Sequence, residues 1–223
     1  MSSSQADSWL GSHIENLKNL TSPFEEYNKF CQEFGISPVV IAGTKNYLVG
    51  CREIHKLKFV VINSCWFSRD DEDKNKLWVG LPQLKLMLAS EQLIHEDNYD
   101  TDSITIATLH HPPDWLHEEE TQSCGSRYVT YRHLSERSHV ILSGHVHSST
   151  IVNPDRKFDS AYLFVGGATY AGSDYWNNFS IYQINIPERT ISRKAFECDP
   201  REDKWLERPD KEIINRSLKK KTL

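Results

Sequence analysis

The sequence predicts a mixed α/β fold, and three observations carry that prediction. Up to Phe34 the residues are mostly helix formers with apolar side chains at helical spacing. Short β-branched or aromatic runs bounded by Gly, Asn and charged residues come next. Two further apolar runs, Ser103 to Leu109 and His139 to Leu142, each stop abruptly where histidines begin. The composition suits a globular chain with a core: 223 residues, 38% hydrophobic, with 26 Lys and Arg against 31 Asp and Glu for a formal charge of -5. That balance excludes chain-wide disorder and a fibrous repeat. It also gives no strong nucleic-acid-binding signal, since such binding needs a surplus of Lys and Arg to neutralise phosphates.

No stretch reaches the roughly 18 to 20 uncharged apolar residues of a membrane helix. The opening Met-Ser-Ser-Ser-Gln-Ala-Asp lacks the basic and apolar regions of a secretory signal. Five scattered cysteines, Cys31, Cys51, Cys65, Cys124 and Cys198, form no C-x-x-C pair, which disfavours both a disulfide framework and a thiolate zinc site. No membrane partner and a reducing cytoplasm are therefore expected.

Leu10, Ile14 and Leu17 line one apolar helical face, and Phe24, Tyr27, Phe30 and Phe34 line another. Thr21-Ser22-Pro23 divides them into two helices, because proline fits a helix start and not its interior. Gly35 ends the second. Val39 to Ala42, Tyr47 to Gly50 and Lys58 to Asn63 read as strands. Ser68 to Lys76 reads as a charged loop, and Leu81 to His95 as a helix through Leu84, Leu88 and Leu93.

The strand ending at Leu109 must stop there, because Pro112 and Pro113 cannot donate to a ladder. The acidic run Glu118 to Glu120 reads as a solvated loop, and Tyr128 to Glu136 as a helix. His139 to Leu142 and Ala161 to Val165 read as strands; Phe179 to Ile186 and Thr190 to Phe196 read as a hairpin around Pro187-Glu188-Arg189. From Asp199 the chain is charged and poor in apolar residues, which reads as a tail or linker.

The chemistry sits at two strand ends, Thr108-Leu109-His110-His111-Pro112-Pro113 and Leu142-Ser143-Gly144-His145-Val146-His147. In open α/β sheets ligands gather at strand carboxyl ends, and a neutral imidazole is the commonest protein metal ligand. Gly144 permits a sharp turn, and the alternate spacing of His145 and His147 lets both rings face one centre or two adjacent ones. Three imidazoles can then converge.

These two blocks resemble the last two motifs of the calcineurin-like metallophosphoesterases, a His-His-Pro followed by Gly-His-x-His. The resemblance extends over most of residues 25–197, including the glycine-rich stretch Gly166 to Tyr175. It implies an αββα sandwich of two sheets flanked by helices. It also implies hydrolysis of a phosphate mono- or diester by metal-activated water, at a dinuclear site of divalent ions such as Mn, Fe or Zn. By the same resemblance His110 and His145 bind one metal and His147 the other, while His111 and Asp114 are neighbours of the ligands or substrate.

The family's earlier blocks, Asp-x-His, Gly-Asp-x-x-Asp and Gly-Asn-His, do not occur before His110. The expected layout is therefore a helical segment at 1–24, the C-terminal portion of a phosphoesterase domain at 25–197 with its N-terminal part missing, and a charged tail at 198–223. The phosphate ester substrate would need a separate N-terminal fragment to complete catalysis. Two alternatives stand beside this reading: a degenerate, non-catalytic binding module of the same fold, and a structural zinc site on His110, His145 and His147.

Overall fold

The computed structural model describes residues 1–11, 19–36, 50–82, 84–85, 103–123, 125, 128–146, 156–158, 161–170, 177–199, 201, 204–208 and 215–218. Mixed α/β structure is observed, built on two β-sheets. Six strands form the first: β1 Gly50–Ile54, β2 Leu57–Val61, β3 Ile104–Thr108, β4 Val140–Ser143, β5 Arg156–Phe158 and β6 Ala161–Val165, in the order β1-β2-β3-β4-β6-β5. The central four run parallel, and β1 and β5 are antiparallel at the edges. β1 and β2 are joined by His55 and Lys56, both in the left-handed region at φ 48° and 65°, as the two-residue turn of a twisted hairpin requires.

The side chains of the parallel strands divide between the two faces of the sheet. Val60, Ile62, Ala107, Leu109, Ile141, Ala161 and Leu163 face one way, against Leu10, Trp66, Leu77, Leu116, Tyr131 and Leu134 from the helices and loops. Ile104, Ile106, Val140 and Phe164 face the other way, against Ile191, Leu218, Tyr182 and Ile184 of the second sheet. The inner strands β3, β4 and β6 are apolar on both sides because both sides are covered.

The second sheet is antiparallel: β7 Asn178–Asn185, β8 Thr190–Asp199, β9 Lys204–Arg208 and β10 Asn215–Ser217. β7 pairs along β8 from Asn185↔Thr190 to Asn178↔Glu197. β9 and β10 occupy successive parts of β8 as well, at residues 195–199 and 190–192. This corrects the tail expected at 198–223. Backbone hydrogen bonding to a long strand recruits β9 although all five of its residues are exposed. Just past β10, Leu218 is buried between the sheets at 2% exposure.

Arg189, at the β7–β8 turn, ties the layers together. Its guanidinium donates to the Leu218 carbonyl at 3.1 Å and the Ser103 carbonyl at 3.4 Å, and lies 2.6 Å from His139 Nε2.

The helices expected before Gly35 are Ser3–Gly11 and Glu25–Glu33, with a 3-10 turn at Ser22–Phe24 where the proline falls. Leu10 of the first is fully buried, so the amino-terminal segment belongs to the main core. Tyr27, Phe30 and Phe34 of the second face are exposed. A helix occupies Thr130–Ser135 as expected. The acidic run differs from expectation: Glu118–Thr121 is a helical turn and Glu120 is fully buried, near the Gly80 N–H at 3.3 Å. Ile14, Leu17, Val39 to Ala42 and most of the expected 81–95 helix lie outside the described residues, as do 47–49 of the Tyr47 to Gly50 strand. No described helix is long and apolar enough to cross a membrane.

Candidate metal centre

Three parallel strands deliver their carboxyl ends to one edge. The registers Val61↔Thr108 and Thr108↔Leu142 continue past the strands through Ile62 N to Thr108 O at 2.9 Å, Leu109 N to Leu142 O at 3.0 Å and Gly144 N to His110 O at 2.9 Å. His110 and His111 follow β3 directly, and His145 follows β4. Backbone pairing between His110 and Gly144 therefore fixes how far apart the two histidine blocks stand.

One potential donor atom each from His110, His111 and His145 lies within 4.8 Å of the others, so these three residues could hold a metal ion. His110 Nε2 is 3.0 Å from His145 Nδ1. The two rings share a single proton in that hydrogen bond, and a metal taking both lone pairs must displace it. His145 has φ 69°, so the left-handed residue of this turn is the histidine itself and not Gly144.

His111 is 2% exposed. Burial, followed by the neighbouring charges of His110 and His145, lowers its pKa to about 4, against smaller opposing effects from Ser64 and Asp73. It is neutral at physiological pH and keeps one nitrogen lone pair to donate.

The surrounding walls come from the loops after β2 and β3. Leu77 bridges Leu116, and His117 N donates to Leu77 O at 2.8 Å, so the two loops form one unit. Trp115, in the 3-10 turn Pro113–Trp115, sets its ring 3.9 Å from His145 at 78° and 5.9 Å from His111 at 30°. Asp114 stands on the exposed rim with its side chain 62% exposed and Lys74 Nζ 4.0 Å away. With burial the larger cause, its charge also raises the pKa of the Tyr131 hydroxyl.

Of the sequence-derived site residues, His110 and His145 come together, His111 joins them within donor distance, Asp114 takes the rim, and His147 lies outside the described residues. Sequence reasoning missed Ser64 and Asp73. Ser64 is fully buried, with Oγ 3.0 Å from His111 Nδ1. Asp73 is buried within the loop expected to be charged and open. Burial pushes its carboxyl pKa up, but hydrogen bonds from the backbone N–H groups of Arg69 and Asp70 outweigh this and hold it low. For Ser64 a signal was present: Asn63-Ser64 follows an apolar strand just as the histidines do.

Three imidazoles with further positions open suit one borderline ion such as zinc. Two hard ions sharing an oxygen need carboxylates, and the donor group found among the described residues contains none. The fold and site thus define an α/β protein of two stacked sheets with a three-histidine cluster at the carboxyl ends of adjacent parallel strands. Comparison with known protein families, with curated proteins and with solved structures gives no match for this chain.

Proposed function

We propose that this protein is a metal-dependent phosphoesterase that hydrolyses a phosphate mono- or diester. The observation that carries the reading is the convergence of His110, His111 and His145 where β3 and β4 end. Two sheets stacked face to face, with helix and loop residues packed on the first sheet's outer side, match three layers of the metallophosphoesterase-like αββα class and support that assignment. Bound there, a divalent ion supplies Lewis-acid polarisation of a phosphoryl oxygen and a lowered pKa for water. His110 and His145 hold it in this reading, and donors for a second ion come from outside the described residues. The chain's own contribution is a rigid backbone register between the two histidine blocks and an indole wall, Trp115, against His145.

The test is metal binding and hydrolysis measured together on the full chain. Purified protein with Mn²⁺ or Zn²⁺ is expected to bind metal, with only weak metal-dependent turnover of a nitrophenyl phosphomonoester or diester by this chain alone, because the carboxylate-bearing blocks are missing from its sequence. Both are expected to fall at least tenfold in His110→Ala and His145→Asn. Absence of metal binding would sink the reading. Metal held by these histidines without turnover would favour the non-catalytic binding module, which the lack of a carboxylate in the described cluster also supports.

A further inference from the structure

Ser64 lies three residues past the end of β2 and is fully buried. Its Oγ accepts the backbone N–H of His111 at 3.1 Å and sits 3.0 Å from His111 Nδ1. A hydroxyl has one proton and two acceptor positions, and the backbone N–H occupies one of the latter. Two arrangements remain. The proton can go to Nδ1, which leaves the neutral ring with its hydrogen on Nε2 and no lone pair for a metal there. Alternatively Oγ accepts from Nδ1–H, and Nε2 keeps its lone pair.

The second arrangement is the one that fits a metal centre. Cys65 Sγ lies 3.9 Å from His111 Nδ1, so both Ser64 Oγ and a sulfur lone pair stand ready to receive Nδ1–H. With Nδ1 turned to these two groups, Nε2 is the ring nitrogen that keeps its lone pair. Metal-binding histidines are generally held in this way, with the second ring N–H donated to a fixed oxygen.

We propose that Ser64 is the positioning residue of the centre: its hydroxyl holds His111 in the Nδ1–H tautomer and leaves Nε2 as a third imidazole donor to a divalent transition metal alongside His110 and His145. This proposal rests on the reading of the cluster as a metal centre, and the tautomer can be measured apart from it. His111 thereby becomes a ligand instead of a neighbour of the ligands, and removing the serine hydroxyl weakens metal binding although Ser64 touches no metal.

The experiment is a long-range ¹H–¹⁵N correlation spectrum of the metal-free full chain labelled at histidine, at pH 7.5, with His111 assigned by its loss in His111→Gln. The wild type is expected to show His111 protonated on Nδ1. Ser64→Ala is expected to move the ring towards the Nε2–H form and weaken Co²⁺ binding tenfold or more, with Ser64→Thr restoring both. An Nε2–H tautomer in the wild type overturns the proposal without need of any variant. If the tautomer is as stated but Co²⁺ neither binds nor changes its visible spectrum, the donor role and the metal-centre reading both fail, while the control of His111 by Ser64 stands.

Discussion

His133 gives the sharpest stability prediction. It sits in the Thr130–Ser135 helix at 7% exposure, with the Tyr128 ring 5.3 Å away at 89° and no hydrogen-bond partner on Nε2 among the described residues. Burial, then the charges of Arg137 and Lys85, lowers its pKa from 6.5 to about 4. His111 is lowered to the same extent. A depressed histidine pKa means that the unfolded chain binds more protons, so stability is full above pH 6.5 and is lost as pH falls from there towards 4. Between pH 7.5 and pH 5 each such histidine withdraws about 2 kcal/mol, and the pair about 4 kcal/mol. Asp73 and Glu136, whose pKa values are lowered, stay ionised down to pH 5 and contribute little in this interval. Urea unfolding at the two pH values measures the loss directly. His133→Leu retains bulk without a titrating group, so its loss should fall by about half, to about 2 kcal/mol. If His133→Leu loses as much stability as the wild type, protonation of His133 is not linked to unfolding and the burial argument fails.

Gly80 has φ 88°, and a Cβ there would run into Leu10 Cδ1 in the core, so Gly80→Ala should lower stability by about 1 to 3 kcal/mol in chemical denaturation. A Cβ on Gly167 would overlap the Asn178 amide; Gly167→Ala should lower the melting temperature, and adding Asn178→Ala should recover part of the loss. Asp114→Asn should change stability by less than about 1 kcal/mol, because its contact with Lys74 is solvent-exposed; a larger change in the urea midpoint would mean that Asp114 has a structural role beyond the rim. Zinc at one hundred times its dissociation constant should stabilise the protein by about 2.7 kcal/mol in thermal or chemical unfolding, with reversal by a chelator.

What was legible in the sequence was whatever a strand's own side chains announce. β3, β4 and β6 are apolar on both faces and end at Pro or Gly, and the β7–β8 hairpin alternates around a Pro-Glu-Arg turn. β9 escaped because pairing with β8 is a backbone transaction: Lys204 to Arg208 place no side chain in the core and show no buried face. Glu120 escaped because three consecutive carboxylates look solvated, whereas one helical turn points them in different directions and buries one. Ser64 escaped because its contact with His111, 47 residues away, is created by strand register. Local pattern carries no information about register between parallel strands, which is set by packing on both faces of the sheet.

The same register explains why the candidate site is where it is. With β2, β3, β4 and β6 in sequential order, each strand's exit lies beside the next, and Ser64, the His110-His111 pair, His145 and Gly166 occupy neighbouring exits. Gly166 N donates to Ser143 O at 2.7 Å, extending the ladder that joins Gly144 to His110. Backbone hydrogen bonds thus position the exits before any side chain contributes. A slip of one residue between β3 and β4 would exchange the two faces of β4, moving Ile141 and Val140 into the wrong cores. The burial that opposes that slip also holds His145 against His110. Core packing and the geometry of the histidine cluster are therefore one constraint, and a core substitution that shifts β4 should disturb metal binding without touching a ligand.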